Sequence, residues 1–465
     1  MTERIRFGTD GWRAVIAREF TEKNVQRLTW AVGEWLRNSG LPLRVVIGYD
    51  CRFGGSRFAH VAAQVFLGQG VEVLMTDRIV TTPMLSMATR DRECGAGVMF
   101  TASHNAPDYQ GFKLKSHLGG PMGGAALSAI EQLIPDSMDS DFKEDGAPFT
   151  IVDLETPYVH AIETRFDMDA LRAMSDTWSY DAMYGAGQFV MERLFPEADL
   201  FRCEHNPHFY GLSPEPIERN LGAFSEHLKS DERLSFGLVN DGDADRIGMM
   251  DGDGRVIDSH HIIALLVHYL HHYQGRSGKV VTAFSTVDAV SRLCEGYGLP
   301  LHLVKIGFKY ASEVMVDEPV MLAGEESGGI ADPEHIPERD GIWIGLTILE
   351  FLAKSQKDLH ALIEEIYELT GRFHYLRNDL KISLEKKEEV ISKCLERAYT
   401  SFGSYEVERV EDMDGWKFRI PDSRWIMIRP SGTEPVLRVY IQGRDEEEAK
   451  DLMMSALETL GVREG

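Results

Sequence analysis

Three short apolar runs end abruptly in polar loops. Gly97-Val98-Met99-Phe100 leads into Thr101-Ala102-Ser103-His104-Asn105, Phe236-Gly237-Leu238-Val239 leads into the acidic loop starting at Asp241, and Val320-Met321-Leu322-Ala323 leads into Gly324-Glu325-Glu326-Ser327-Gly328-Gly329. Such runs bounded by turn residues read as buried strands, and a buried strand needs cover on both faces. Leu43 to Asp50 reads as another strand, Ser56 to Leu67 as a helix, and Val71 to Met75 as the next strand. Repeated α/β units follow from that order. The stretch Ile134 to Pro148 is acidic and rich in breakers, as a linker would be. Beyond Leu376 the pattern changes. Asp379 to Ser383 alternates like a strand, Leu384 to Thr400 reads as a helix, two strands flank Arg429, and a terminal helix begins near Glu446. A chain of 465 residues can bury several cores, which predicts three or four domains.

The loops carry the chemistry. A serine displayed at a strand end is placed for covalent catalysis, although turn and cap chemistry accounts for a Ser-His-Asn cluster as well. In Asp241-Gly242-Asp243-Ala244-Asp245-Arg246, carboxylates alternate and can converge on one hard cation if the backbone curls. An EF-hand would need Gly and Glu where Arg246 and Gly252 stand. Three carboxylates without a further protein ligand suit Mg²⁺ shared with a phosphate oxygen; a solvated acidic turn is the plain alternative. Asp251-Gly252-Asp253-Gly254, between two apolar runs, reads as a hairpin turn. Glu325 and Ser327 with the following glycines suit sugar hydroxyls, and also an ordinary Gly-rich turn. In Arg429-Pro430-Ser431-Gly432-Thr433-Glu434-Pro435, Arg429 offers a planar fork for phosphate and Ser431, Gly432 and Thr433 a possible anion nest; a hairpin loop fits equally.

Other classes are disfavoured. A net charge of −25 argues against nucleic acid or an anionic membrane surface. There is no Gly-x-x-x-x-Gly-Lys-[Ser/Thr] loop, and none of Ser103, Ser327 or Ser431 lies in a Gly-x-Ser-x-Gly frame. Gly95-Ala96-Gly97 precedes its strand instead of following it, unlike a dinucleotide fingerprint. His260, His261, His268, His271 and His272 fall on an apolar helical pattern and read as packed or surface histidines. Five scattered cysteines without a CxxC pair suggest reduced, cytoplasmic thiols. Charges at Glu3, Arg4 and Arg6 leave no apolar signal core, and the best apolar runs are too short to span a bilayer.

With Phe7-Gly8-Thr9-Asp10-Gly11-Trp12-Arg13, these segments resemble the α-D-phosphohexomutase family (phosphoglucomutase/phosphomannomutase), with five motifs in family order over nearly the whole chain. The resemblance implies three α/β domains with mixed sheets and a smaller α+β C-terminal domain around a central cleft, here divided as 1–145, 146–255, 256–370 and 371–465. It implies transfer of a phosphoryl group between the 1- and 6-positions of a hexose phosphate through a phosphoserine and a hexose 1,6-bisphosphate, which also serves as activator. Mg²⁺ is the implied cofactor, small hexose phosphates are the partners, and the setting is cytoplasmic, without nucleic acid or membrane. By the same resemblance Ser103 is the phosphoserine and His104 its phosphoryl-contacting neighbour. Asp241, Asp243 and Asp245 hold Mg²⁺ with the Ser103 phosphate. Lys113 is the general acid/base; Arg13 and Arg246 are active-site arginines. Glu325 and Ser327 grip sugar hydroxyls, and Arg429, Ser431, Gly432 and Thr433 hold the non-reacting phosphate. Lys305 and Lys309 are further phosphate candidates.

The chain departs from the family pattern at Ala106, Gln110, Gly329 and Arg339. Phosphomannomutase/phosphoglucomutase and phosphoglucosamine mutase branches commonly have histidine where Gly329 stands. The phosphoglucomutase branch often has lysine at Arg339; arginine stays charged, so it could bind substrate phosphate but is a poor proton shuttle. The sugar loop is closer to the phosphoglucomutase branch, which makes glucose phosphates the expected substrates, with phosphomannomutase or dual activity as the alternative. A catalytically silent sugar-phosphate-binding paralogue is the alternative of another class. Arg13, Lys113, Arg246, Lys305 and Arg429 are expected to make a cationic cleft inside an acidic shell.

Overall fold

The computed structural model describes residues 5–8, 10–138, 148–431 and 436–462. The chain forms two compact units, Met1–Ile262 with Gly307–Leu359, and Ile263–Ile306 with His360–Gly465.

In the first unit, the apolar runs become the central strands of two mixed sheets. Arg44–Tyr49 lies parallel to both Glu72–Thr76 and Ala96–Phe100. Helices Glu22–Ser39 and Gly55–Gly68 bring Leu28, Val32, Ala62 and Phe66 to a core shared with Val45, Ile47, Val98 and Phe100. Thr21 caps the first of these helices by accepting from the Asn24 N–H, satisfying one of the donors left over at a helix start. The sheet then reverses. Tyr109–Ser116 runs antiparallel to Ala96–Phe100, pairing Lys113 with Met99, and Trp12–Val15 runs antiparallel to it in turn, pairing Arg13 with Gly111. The Ser103 loop is therefore the connection between two central strands.

The second sheet of this unit follows the order Val256–Ile257, Ile247–Asp251, Phe236–Asn240, Trp178–Asp181, Asp199–Phe201. Phe236–Asn240 pairs antiparallel with Ile247–Asp251, so the acidic loop joins adjacent strands. The Asp251–Gly254 turn is a hairpin as expected, with Met250 opposite Val256. A third antiparallel pair, Val320–Gly324 with Ile330–Ala331, encloses the Glu325–Gly329 loop.

In the second unit, Lys279–Ala283 and Leu301–Val304 pair in parallel. A five-stranded antiparallel sheet has Arg424–Pro430 and Val436–Gly443 at its centre. Helix Glu446–Leu460 shares its core through Leu452, Ala456 and Leu460 packed with Ile426, Ile428, Val439 and Ile441. The helix expected over Leu384 to Thr400 ends at Leu395. Arg397 adopts a left-handed backbone, φ 54°, which an α-helix cannot continue through. His268 is buried in this unit beside the Tyr297 hydroxyl, 2.5 Å away, and Glu365, 3.2 Å away, so it is a packed polar side chain.

Most of the expected linker, 139–147, lies outside the described residues. Among the described residues no helix is long and apolar enough to cross a membrane.

Candidate active site

Ser103 sits in the turn after Ala96–Phe100 with φ 51°, a left-handed conformation uncommon for serine. Its N–H donates to Thr101 Oγ1 at 2.9 Å, and its carbonyl accepts from Arg52 Nη2 at 2.6 Å. Its hydroxyl donates to Asp241 Oδ2 at 2.6 Å and lies 3.2 Å from His104 Nδ1. Arg13 Nη1 donates to Asn105 Oδ1 at 2.9 Å, holding the far side of the loop. Burial and the cations Arg246, Arg13, Lys113 and Arg52 push the His104 pKa well below the usual imidazole value, so His104 is a neutral ring here.

The acidic loop curls as a cation site requires. Ala244 is left-handed, φ 58°, and the backbone is held from elsewhere in the chain: Gly242 O accepts from Ala186 N, Asp243 O from Thr82 N, and Ala244 O from Gly341 N. A side chain on Gly242 would meet the Ser103 carbonyl oxygen at 2.5 Å, so only glycine lets the two loops approach so closely. Asp241, Asp243 and Asp245 are buried with their ligand atoms within 4.8 Å of one another, the one such group among the described residues. Oδ1 of Asp243 and Oδ1 of Asp245 are buried without a hydrogen-bond donor from the protein. Burial and the neighbouring Asp243 and Asp245 raise the Asp241 pKa well above the carboxylate range. An all-oxygen set with unfilled lone pairs and mutual repulsion fits a hard divalent cation such as Mg²⁺.

Lys113 is fully buried and contacts Asp243 at 2.7 Å, Asp245 at 2.8 Å and Asp10 at 2.9 Å. Burial alone would favour the neutral amine, but the three carboxylates outweigh it and raise its pKa. In this arrangement Lys113 is a charged donor. A role as proton acceptor requires its carboxylate partners to be engaged elsewhere. Arg339 donates to Asp10 and to Asp245, each at 2.6 Å, and reaches Glu325 Oε1 at 3.4 Å, with its guanidinium over the Phe308 ring. Lys115 pairs with Glu338 at 2.5 Å. Lys113, Lys115 and Arg339 interleave with Asp10, Asp243, Asp245, Glu325 and Glu338, because so many buried cations would repel one another without carboxylates between them.

The Glu325–Gly329 loop lies against the strand that follows the acidic loop. Gly328 O accepts from Ile247 N at 3.0 Å. Ser327 Oγ donates to Glu325 Oε1 at 2.8 Å, and burial raises the Glu325 pKa. A Cβ at Gly329 would meet Arg339 Cδ at 2.5 Å and Glu325 Oε1 at 2.9 Å. Arg246 donates its N–H to Asp241 Oδ1 at 3.1 Å, closing the acidic loop, and its guanidinium approaches Glu215 at 3.9 Å.

The first unit thus gathers Ser103, His104, Lys113, Arg13, Arg246, the three aspartates, Glu325, Ser327 and Arg339. Lys309 belongs to the same unit, but its ammonium lies 4.9 Å from the centroid of the Tyr310 ring. Lys305, Arg429 and Ser431 belong to the second unit. There Arg429 Nε contacts Asp414 Oδ2 at 3.1 Å, and the same oxygen accepts from Ile306 N at 2.9 Å, next to Lys305. Lys387 Nζ donates to Ser431 O at 2.6 Å. Gly432 and Thr433, like Thr9, lie outside the described residues. Sequence reasoning passed over Asp10, Asp50, Arg52, Thr82, Lys115 and Glu338. The available signals were the pair Asp50 and Arg52 straight after a buried strand, and lysines at alternate positions in the strand Tyr109–Ser116.

Family models for phosphoglucomutase/phosphomannomutase match the chain in order: alpha/beta/alpha domain I over residues 4–140, domain II over 156–254, domain III over 258–370, and the C-terminal domain over 380–459. The chain is 29% identical to a phosphoglucomutase/phosphomannomutase of Thermococcus kodakarensis, covering 98% of each. It is 28% identical to a phosphoglucosamine mutase of Methanocaldococcus jannaschii, covering 96% of each. A crystal structure from Thermus thermophilus, provisionally named a phosphomannomutase, superposes with a TM-score of 0.88 at 33% identity, over 99% of this chain and all of that one. The mixed sheets, the C-terminal antiparallel sheet and the four consecutive matches make this chain a member of the phosphoglucomutase/phosphomannomutase family of α-D-phosphohexomutases.

Proposed function

We propose that this protein is a Mg²⁺-dependent mutase that moves a phosphoryl group between the 1- and 6-positions of a hexose phosphate, with glucose phosphate as its preferred substrate. The carrying observation is Ser103 Oγ, 2.6 Å from Asp241 Oδ2, in an aspartate triad where Oδ1 of Asp243 and Oδ1 of Asp245 have no donor. Asp241, Asp243 and Asp245 would hold Mg²⁺, which supplies charge neutralisation for phosphoryl transfer. Ser103 carries the phosphoryl group, passing it to one sugar hydroxyl and taking it back from the other carbon of a hexose 1,6-bisphosphate, which primes the serine. Arg13 and Lys113 present positive charge to the transferring group. Lys113 takes the hydroxyl proton once its carboxylates are drawn away. Glu325 and Ser327 accept and donate to sugar hydroxyls. Arg429, Ser431, Gly432 and Thr433 in the second unit hold the phosphate that is not reacting, on whichever carbon it lies, and Lys305 and Lys309 assist. The preference for glucose rests on Gly329: Arg339 fills the space that the histidine of the mannose and glucosamine branches would need.

Purified protein with Mg²⁺ and trace glucose 1,6-bisphosphate, offered the 1-phosphates of glucose, mannose and glucosamine separately, tests this reading. Fastest formation of glucose 6-phosphate supports it. Faster turnover of mannose or glucosamine phosphate overturns the sugar assignment. No product from any of them overturns the mutase reading and favours a binding paralogue.

A further inference from the structure

Arg52 lies outside the groups that would touch substrate, yet it is the most heavily committed side chain beneath the Ser103 loop. Its side chain is fully buried, 3.5 Å from Asp50 and over the Phe209 ring. Nη2 donates to Ser103 O and to Asn105 O, both at 2.6 Å, while Nη1 donates to Ala106 O at 2.8 Å and Tyr109 O at 3.1 Å. Asp50 completes the frame. It accepts from Arg52 N at 2.9 Å and from Thr101 Oγ1 at 2.5 Å, and that same Oγ1 accepts from Ser103 N. Ser103 is thus gripped at its N–H through Thr101 and at its carbonyl through Arg52, on both sides of an uncommon left-handed φ.

We propose that Arg52 is a positioning residue for phosphoryl transfer, its Asp50-anchored guanidinium clamping the backbone from Ser103 to Tyr109 so that the serine oxygen stays on the aspartate triad. The proposal rests on the phosphoserine reading above. A planar guanidinium can span four carbonyls, whereas the compact ammonium of lysine cannot. Each carbonyl held by Arg52 is also one that cannot turn toward an incoming phosphate. Misplacement of a reacting atom by about 1 Å costs on the order of 100-fold in rate.

The test uses full-length Arg52→Lys, Arg52→Ala and Thr101→Val beside wild type, with rates taken per folded protein from near-UV circular dichroism. Arg52→Lys should lose about 100-fold in kcat with KM for the hexose phosphate within about threefold, since the groups contacting the sugar are untouched. Guanidinium ion should restore part of the Arg52→Ala loss, and methylammonium should not. Amide exchange across Ser103 to Tyr109 should speed up about tenfold in Arg52→Lys, a readout that does not depend on turnover. If Arg52→Ala does not fold, Arg52→Lys and Thr101→Val decide. Unchanged exchange, or kcat within about threefold of wild type in both, overturns the clamp. An inactive wild type whose Arg52→Lys variant still shows loosened exchange keeps the clamp and refutes the mutase reading.

Discussion

Around Ser103 the structure ties the charged side chains to one another. Lys113 and Arg339 are fully or almost fully buried and share Asp10 and Asp245 at hydrogen-bond distance. At the Arg429 loop the side chain is 19% exposed and leans on Asp414. A cross-linked, water-excluded site holds reacting atoms in one geometry, which is what transfer to and from a serine needs. Arg429 is held by fewer partners, on a hairpin. The two regions thus differ in how firmly their charged side chains are held, and each variant below strains that difference.

Ser103→Ala is the sharpest break. It should lower kcat by about 10⁴-fold or more, with an unchanged melting temperature, in a steady-state assay with Mg²⁺. Residual turnover within about tenfold of wild type would end the phosphoserine role. Lys113→Met strands Asp10, Asp243 and Asp245 without their shared cation. Breaking a buried pair costs about 3–5 kcal/mol, and Mg²⁺ should recover part of it, so the drop in thermal midpoint should be larger in EDTA than in Mg²⁺.

Asp50 extends the comparison to pH. Burial, only partly offset by Arg52 and Thr101, raises its pKa from 3.8 to about 6, with Asp243 adding to the rise. The folded protein then holds this proton more tightly than the unfolded chain does, so the carboxyl favours the fold at low pH. That contribution disappears as pH climbs from about 4 to about 6. The stability of wild type relative to Asp50→Asn should fall by up to about 3 kcal/mol over that window, read from unfolding midpoints at each pH. A flat difference refutes the assignment.

Arg429→Gln should have the smallest effect. Losing a charge-assisted hydrogen bond of about 1.5–3 kcal/mol should raise KM by roughly 10- to 100-fold and leave the melting temperature nearly unchanged. A large fall in melting temperature would mean that the second region is as cross-linked as the first.

The strands were legible because buried parallel strands read as unbroken apolar runs, and the hairpin at Asp251 because Asp-Gly turns fix their own geometry. Ser103 and the triad were legible because their spacing is local. Asp10 and Glu338 were not. Each is one charged residue in ordinary surroundings, and its role comes from partners far along the chain: Arg339 reaches Asp10 across 329 positions and Lys115 reaches Glu338 across 223. The helix expected to reach Thr400 overran because propensity carries no notice of the left-handed Arg397. The charge state of Lys113 was hidden for a related reason, since a lone lysine shows neither its burial nor its three carboxylates.

The close approach of Arg339 to Gly329 constrains how this loop could change in sequence. A bulkier residue at 329 collides with Cδ of Arg339 and with Glu325 unless the arginine has first been shortened or moved. Shortening Arg339 alone loosens Asp10, Asp245 and Glu325 together. Neither single step is free, and contacting residues of this kind do not contribute independently. Residues 329 and 339 are therefore coupled, and a lineage that changed one would cross through a weakened intermediate or exchange both at once.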